Sequence, residues 1–174
     1  MHIRNLLPTD ASQFHALRLR GLKEAPTSFA SSYEEEVGIS LEEVGRRLSA
    51  KPDGATFGAF DTTGLVGVAG LQREGMRKLA HKAFIWGMYL APEARRQGVG
   101  RKLLQHALEY AWNSLSVTQV NLGLNTGNTP AVELYKSLGF ETYGVERGFL
   151  LVDGVLYDEY QMVCASVKAA GLRV

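Results

Sequence analysis

The sequence predicts an α/β or α+β domain in which helices cover a mixed sheet. Three observations predict it: short apolar runs with strand periodicity, amphipathic helical segments between them, and turn residues at nearly every junction. They place the elements in the order β-α-α-β-β-β-α-β-α-β-β, which makes about seven strands and about four helices. The 174 residues are expected to form one domain, residues 1–174, because this length suits a single hydrophobic core.

The N-terminal half contains a strand, two helical regions and a hairpin. Asp10 or the threonine before it can cap the first helix, and Pro26 ends that helix. Capping boxes that begin at Ser32 and Ser40 predict that the second helical region has two pieces. The elements are predicted at residues 1–7 (strand), 10–25 (helix), 33–50 (helix in two pieces), 55–61 and 65–72 (hairpin strands).

The C-terminal half alternates strands and helices and ends in a second hairpin. The run 83–90 is apolar on both faces, which is typical of a strand in the middle of a sheet. Gly139 can end a helix in the left-handed conformation, and Asp153-Gly154 is a strong hairpin signal. The elements are predicted at residues 83–90 (strand), 98–113 (helix), 117–124 (strand), 128–138 (helix), 140–152 and 155–163 (hairpin strands).

Composition and charge exclude several classes of protein. The chain has 19 Lys and Arg against 18 Asp and Glu, a net charge of +1, so no nucleic-acid partner is expected. The longest apolar run is about nine residues, whereas a membrane-spanning helix needs about twenty, so no membrane partner is expected. The N-terminus lacks the apolar core of a signal peptide, which predicts a cytoplasmic location. Cys164, the single cysteine, predicts a buried, inert thiol, and the four scattered histidines predict no metal site.

Residues 95–101 carry the most informative glycines of the chain. They lead from the central strand into a helix, whose unpaired amides and partial positive charge favour an anion. Gly98 and Gly100 let a phosphate approach the backbone, and three arginines add charge that suits phosphate oxygens. The segment is neither a P-loop nor a dinucleotide fingerprint, since Leu103 stands where the third glycine belongs. Taken alone, it also fits a plain helix N-terminus beside solvated arginines.

A second motif lies about thirty residues later. Asn128 can cap a helix, Pro130 is allowed in its first turn, and Tyr135 shares a helical face with Asn128. Taken alone, Tyr135 also fits a core aromatic residue with a satisfied hydroxyl. The two motifs together resemble those of the GNAT N-acetyltransferase superfamily, on Arg95-x-x-Gly98-x-Gly100 and on Asn128, Ala131, Tyr135, Gly139 and Phe140. The element order matches that family from the first strand to the last hairpin.

The resemblance implies an enzyme that transfers an acetyl group from acetyl-CoA to a primary amine of a small molecule or peptide by direct attack. It implies a sheet splayed at the central strands, and Gly87 would permit the bulge that opens it. The cofactor-binding residues implied by the resemblance are Met88, Leu90, Arg95, Arg96, Gln97, Gly98, Val99, Gly100, Arg101, Asn128 and Tyr135.

The resemblance assigns proton donation to the leaving thiolate to Tyr135, whose phenol stays protonated at pH 7 with a reference pKa of about 10. The base that takes the proton of the amine is open, because the central strand has no Glu. Glu74, at the end of the preceding strand, and a water relay are the two candidates.

The resemblance places the acceptor between the loop after the first helix and the last hairpin. Phe29 and Tyr33 are expected to wall the pocket, and Glu34–Glu36 either attract a cation or favour a helix start. Asp158 and Glu159 are alternative acidic residues, and a homodimer through the last strands is a further expectation. Two other functions stay open: a non-catalytic acyl-CoA-binding or sensing module, and an unrelated nucleotide-phosphate binder.

Overall fold

The computed structural model describes residues 1–166, so the last eight residues of the predicted domain lie outside it. Five helices and one sheet of seven strands confirm the predicted fold class, with the second helical region present as two separate helices. The strands are β1 His2–Asn5, β2 Gly54–Asp61, β3 Gly64–Arg73, β4 Lys82–Leu90, β5 Gln119–Asn125, β6 Glu141–Val152 and β7 Val155–Ala165. The helices are α1 Ala11–Glu24, α2 Tyr33–Glu36, α3 Leu41–Leu48, α4 Val99–Asn113 and α5 Thr129–Lys136.

The sheet has the strand order β1-β2-β3-β4-β5-β7-β6, so the predicted central strand does lie in its middle. All neighbours are antiparallel except β4 and β5, which run parallel. These two strands pair only from Lys82–Gln119 to Phe84–Asn121, and beyond this point they part. The backbone groups of β4 after Phe84 therefore have no strand on that side, and a gap opens in the middle of the sheet.

A β-bulge in β4 lies beside this gap. Trp86 pairs with Gly70 and Tyr89 pairs with Val68, so β4 uses three steps where β3 uses two. Gly87 lies within the extra step and has a φ of +61°, a conformation that glycine adopts without a β-carbon clash. The predicted bulge at Gly87 is confirmed, and it turns the end of β4 away from regular pairing.

Helices cover both faces of the sheet. Tyr89 packs on α1, where a β-carbon at Gly21 would lie only 2.9 Å from its ring. Phe57 of β2 points the other way and packs on Tyr110 of α4, with ring centroids 5.3 Å apart. We call the surface that carries Tyr89 the α1 face and the surface that carries Phe57 the α4 face. Trp86 shares the α1 face, because its partner Gly70 lies two residues from the partner of Tyr89.

The core contains the predicted inert cysteine. Cys164 is 7% exposed, and burial raises the pKa of its thiol, which keeps it protonated. Within residues 1–166, no helix is long and apolar enough to cross a membrane. The same residues contain no group of three His, Cys, Asp or Glu side chains that could hold a metal ion.

Asp10 fixes the start of α1 to β1. Its carboxylate accepts bonds from Arg4 at 2.6 and 2.9 Å and from the Leu7 amide at 2.8 Å, and the Arg4 bond holds its pKa below the ordinary value. We expect Asp10→Asn to lower the free energy of unfolding by about 1–3 kcal/mol at pH 7, because a part-buried charge-assisted pair is lost. Since the pKa is lowered in the folded state, this contribution is present above the unfolded pKa and lost as pH falls through the folded pKa. Urea unfolding of both proteins at pH 7 and pH 3 measures the difference, which must shrink at pH 3.

Candidate active site

A cleft of about 850 Å³ occupies the gap between β4 and β5. Its walls are the diverging ends of the two strands, the N-terminal part of α4, one side of α5 along its length, the segment after α1 and the last hairpin. Because residues from both sheet faces line it, the cleft runs through the sheet from the α4 face to the α1 face. The predicted cofactor residues that line it are Met88, Leu90, Arg95, Arg96, Gly98, Val99, Gly100, Arg101, Asn128 and Tyr135.

The N-terminus of α4 forms one end of the cleft. Gly98 precedes the helix with a φ of +75° and has no side chain to cap it. The amides of the first turn therefore lack intrahelical partners and are available to an anion. Gly100 lies where a β-carbon would come within 3.1 Å of Leu90 and of Leu134, so glycine here lets α4 approach β4 and α5. The residues fit a diphosphate group.

The arginines around this turn are held in different ways. The Nε of Arg95 donates to the Leu90 carbonyl at 3.0 Å, and Arg101 donates to the Ser137 hydroxyl at 2.8 Å. Arg96 is exposed and has a φ of +60°. Gln97 does not line the cleft, since its side-chain amide turns back to the Glu93 carbonyl at 2.7 Å. The positive charge at this end of the cleft therefore comes from the arginines.

Tyr135 lies on α5 and reaches the point where β4 leaves β5. It is 6% exposed, its ring packs edge-to-face on Phe140 at 5.5 Å, and its hydroxyl donates to the Met88 sulfur at 3.2 Å. Burial raises the pKa of Tyr135 above the ordinary phenol value. A thioether is a weak acceptor, so this hydroxyl keeps its proton and engages it in only a weak hydrogen bond, in a buried position beside the bulged strand.

Two asparagines shape the start of α5. Asn128 caps the helix, since its side-chain oxygen accepts from the Ala131 amide at 3.4 Å, and it lines the cleft. Asn125 donates to the Thr27 carbonyl at 3.0 Å and accepts from the Gly127 amide at 2.8 Å. Asn125 therefore ties the end of β5 to the segment after α1 and narrows the cleft on the α1 face.

The expected acceptor residues divide between the cleft and the surface. Phe29 is 7% exposed and lines the cleft, whereas Tyr33 does not and instead packs its ring on the Lys23 ammonium at 4.0 Å. Glu34 is exposed in the first turn of α2, and Glu35 completes the capping box with Ser32.

Glu159 brings a carboxylate into the cleft. It pairs with Asn125, whose side chain binds the segment after α1, so both lie on the α1 face. Its carboxylate lies over Gly123 of β5, where a β-carbon would overlap it. Burial raises the pKa of Glu159, while a 2.9 Å bond from Gln161 opposes this and nearby Glu146 adds to it. Asp158 points away and pairs with an exposed arginine of β6.

The structure does not bring Glu74 to the cleft. Its amide donates to the Lys82 carbonyl at the amino end of β4, whereas the bulge lies near Met88, six residues further along that strand. At about 3.3 Å per residue, the separation is about 20 Å. The prediction that Glu74 is the base is therefore corrected.

Sequence reasoning missed Arg18. It is 8% exposed on α1 and pairs with Glu36 at 2.8 Å. A signal was present, because Phe14, Arg18 and Leu22 are spaced by four residues and so share the buried stripe of the helix. A charged side chain within an apolar stripe needs an oppositely charged or hydrogen-bonding partner in the protein interior. This position in the sequence therefore indicates that Arg18 is a buried, paired residue.

The opened edge of β4 next to a helix N-terminus suits a long cofactor with an extended arm and a diphosphate. This combination places the protein among the acyl-coenzyme A-dependent transferases. Residues 22–140 match the Acetyltransferase (GNAT) family. The chain belongs to this family and is an N-acetyltransferase that uses acetyl-CoA.

Individual proteins support the same assignment. The chain is 33% identical over 116 residues to the N-alpha-acetyltransferase RimI of Mycobacterium tuberculosis, covering 67% of this chain and 69% of that protein. It is 30% identical over 77 residues to the L-amino acid N-acetyltransferase AaaT of Escherichia coli, covering 44% of this chain and 48% of that protein. A solved structure of yncA, a putative acetyltransferase from Salmonella typhimurium with its cofactor acetyl-CoA, shares the fold. Its TM-score is 0.83 at 15% identity, covering 95% of this chain and 93% of that chain.

Proposed function

We propose that the protein transfers the acetyl group of acetyl-CoA to a primary amine of a small molecule or peptide by direct attack, with Tyr135 as the general acid. The observation that carries this proposal is the buried Tyr135 hydroxyl, 3.2 Å from Met88 at the place where the sheet opens. Acetyl-CoA supplies a thioester whose sulfur leaves with a negative charge. The raised pKa keeps a proton on the Tyr135 oxygen at neutral pH, available to that sulfur.

The chain divides the binding of acetyl-CoA between two elements. The backbone edge of β4 around Met88 faces the gap and offers hydrogen bonds to an extended arm, as an added strand would receive, whereas the Leu90 carbonyl on this edge already accepts from Arg95. The amides after Gly98 and the side chains of Arg95, Arg96 and Arg101 offer donors and positive charge to the diphosphate. Asn128 keeps its side-chain nitrogen free for the cleft, because the helix cap uses only the oxygen.

We assign the base to Glu159. An acceptor amine arrives mostly as ammonium, with a reference pKa of about 10.4, and must lose a proton before it attacks. Glu159 and Tyr135 line the same cleft, with Glu159 on the α1 face and Tyr135 on α5, so acceptor and thioester can meet from opposite sides of the sheet. Burial raises the pKa of the Glu159 carboxyl group and lowers the pKa of a desolvated amine. The difference between the two pKa values becomes smaller, which makes proton transfer from the amine to the carboxylate less unfavourable.

Ligand binding and turnover test the proposal together. We expect acetyl-CoA to raise the melting temperature more than ATP or NAD at equal concentration, because only a ligand of the native state stabilises it. We also expect free-thiol release from acetyl-CoA with at least one class in a panel of amino acids, peptides, polyamines and aminoglycosides. Stabilisation without release for any class would favour a binding or sensing module, and stabilisation by ATP or NAD alone would favour a nucleotide-phosphate binder.

A homodimer, a cytoplasmic location and a single domain stay predictions. Exposed apolar side chains near the tip of the last hairpin, Leu151, Val155 and Leu156, support an interface between two copies. Sedimentation equilibrium of the full chain measures the oligomeric state.

A further inference from the structure

The buried arginine of α1 is locked in one orientation. The Nε and one terminal nitrogen of Arg18 donate to the two carboxylate oxygens of Glu36 at 3.0 and 2.8 Å. The guanidinium also stacks on the Phe29 ring, with its carbon 4.7 Å from the ring centroid. Two bonds on one edge and an aromatic face fix the group, so its third nitrogen, Nη1, points away from Glu36.

Nη1 of Arg18 is buried and has no hydrogen-bond partner among the described residues. A β-carbon built on Gly87 would lie 3.5 Å from this nitrogen, and apart from the chain neighbours of Gly87 no other described atom comes within 4 Å of that position. Gly87 is the bulge residue and lines the cleft. Arg18 itself does not line the cleft, so the unpaired donor lies directly behind Gly87 on the α1 face, separated from the cleft only by the space that a β-carbon of Gly87 would fill. Buried charged donors are rarely left unpaired, so a missing partner is indicated.

The chemistry of the donor limits that partner. A guanidinium only donates, so its partner is an oxygen that accepts. Because Glu36 already balances the charge of Arg18, a neutral carbonyl is accepted as well as a carboxylate. Glu159 lies on the same face across the gap, over Gly123, and offers its carboxylate to an ammonium. The amine substrate in the cleft would thus have the hydrogen-bond donor of Arg18 beside β4 and the carboxylate of Glu159 over β5.

We propose that Nη1 of Arg18 binds an oxygen of the acceptor that is adjacent to its attacking amine. The acceptor then carries an α-aminoacyl group, either as a free amino acid or as the first residue of a peptide. The inference rests on the proposed acetyl transfer and specifies the substrate class of the same cleft. An alkylamine or polyamine lacks this oxygen and leaves the donor unpaired.

Matched acceptors test the inference with the full chain. For several side chains, kcat and KM are measured by thiol release for the amino acid, its amide, a tripeptide that begins with it, and the decarboxylated amine. We expect the wild type to prefer α-aminoacyl compounds over the decarboxylated amine. Activity with the acid alone indicates a free amino acid, whereas activity with the amide and tripeptide indicates a peptide N-terminus.

Arg18→Lys keeps a positive charge to pair with Glu36 but removes the planar guanidinium, and with it the nitrogen beside Gly87. We expect this variant to raise KM for α-aminoacyl acceptors about 10- to 100-fold, with little change in kcat and no change for the decarboxylated amine. The double variant Arg18→Met with Glu36→Leu removes both charges, so no buried charge is left unpaired if the lysine variant fails to fold. It should lose the same preference. Acetyl-CoA-induced stabilisation of each variant verifies its fold.

The control and the contrary outcomes are distinct. Arg20→Gln, on the same helix, breaks exposed ion pairs with Glu24 and Glu93 outside the cleft and should retain the acceptor preference. Equal kcat/KM for α-aminoacyl compounds and decarboxylated amines in the wild type, or a preference that survives both Arg18 variants, would overturn the inference while leaving acetyl transfer intact. No thiol release with any amine would instead remove the proposed function itself.

Discussion

Tyr135→Phe is expected to lower kcat by about 100-fold or more and to leave the affinity for acetyl-CoA nearly unchanged. General acid catalysis contributes about 10²- to 10⁴-fold, and the substitution removes only the proton that the leaving sulfur needs. The Tyr135 ring would keep its place, since its packing on Phe140 does not use the hydroxyl. Single-turnover thiol release and a calorimetric titration with acetyl-CoA measure the two quantities separately.

The matched control is Tyr110→Phe. Tyr110 lies on α4 and packs on Phe57 outside the cleft, so loss of its hydroxyl should leave kcat unchanged. The stability of Tyr135→Phe should change by less than about 1 kcal/mol, because the lost hydroxyl bonds only a thioether. An undiminished kcat in Tyr135→Phe would show that another group or solvent protonates the sulfur.

Motifs that act through their own stretch of backbone could be predicted from the sequence. Gly98 precedes the α4 helix with a positive φ, and Asn128 caps α5, as expected from local helix-capping chemistry. Gly87 belongs to the same group, because a glycine within an apolar strand indicates a bulge. Gly98 and Asn128 are fixed by neighbours within a few positions of the chain, and Gly87 is recognisable because a glycine is unusual within such a strand.

The location and role of residues whose position depends on strand register could not be predicted from the local sequence in the same way. Asp158 and Glu159 are adjacent, yet only Glu159 lines the cleft, because successive strand residues point to opposite faces. Glu74 is close to the central strand along the chain, but antiparallel pairing places it at the end of β4 that lies away from the cleft. Arg18 depends on a helix, a distant Glu36 and the bulge together, so no single segment shows its role.

The second large effect concerns the base. Glu159→Gln is expected to lower kcat/KM at neutral pH by about 10²- to 10⁴-fold, since the amine then loses the group that accepts its proton. In the wild type, the carboxylate form appears only above a pKa that burial has raised, so activity should rise with pH through a value above that of an ordinary Glu. The variant should lack this rise. The pH profile of kcat/KM measures both effects.

Glu146→Gln gives the matched test on the neighbouring strand. Glu146 is the cross-strand partner of Glu159, and its charge adds to the rise in the pKa of Glu159, but it does not line the cleft. Its neutralisation should move the acidic limb of the profile to lower pH without lowering the plateau, which is the opposite pattern to Glu159→Gln. A Glu159→Gln enzyme with a full plateau would show that a group other than this carboxylate, a water relay or another side chain, accepts the proton.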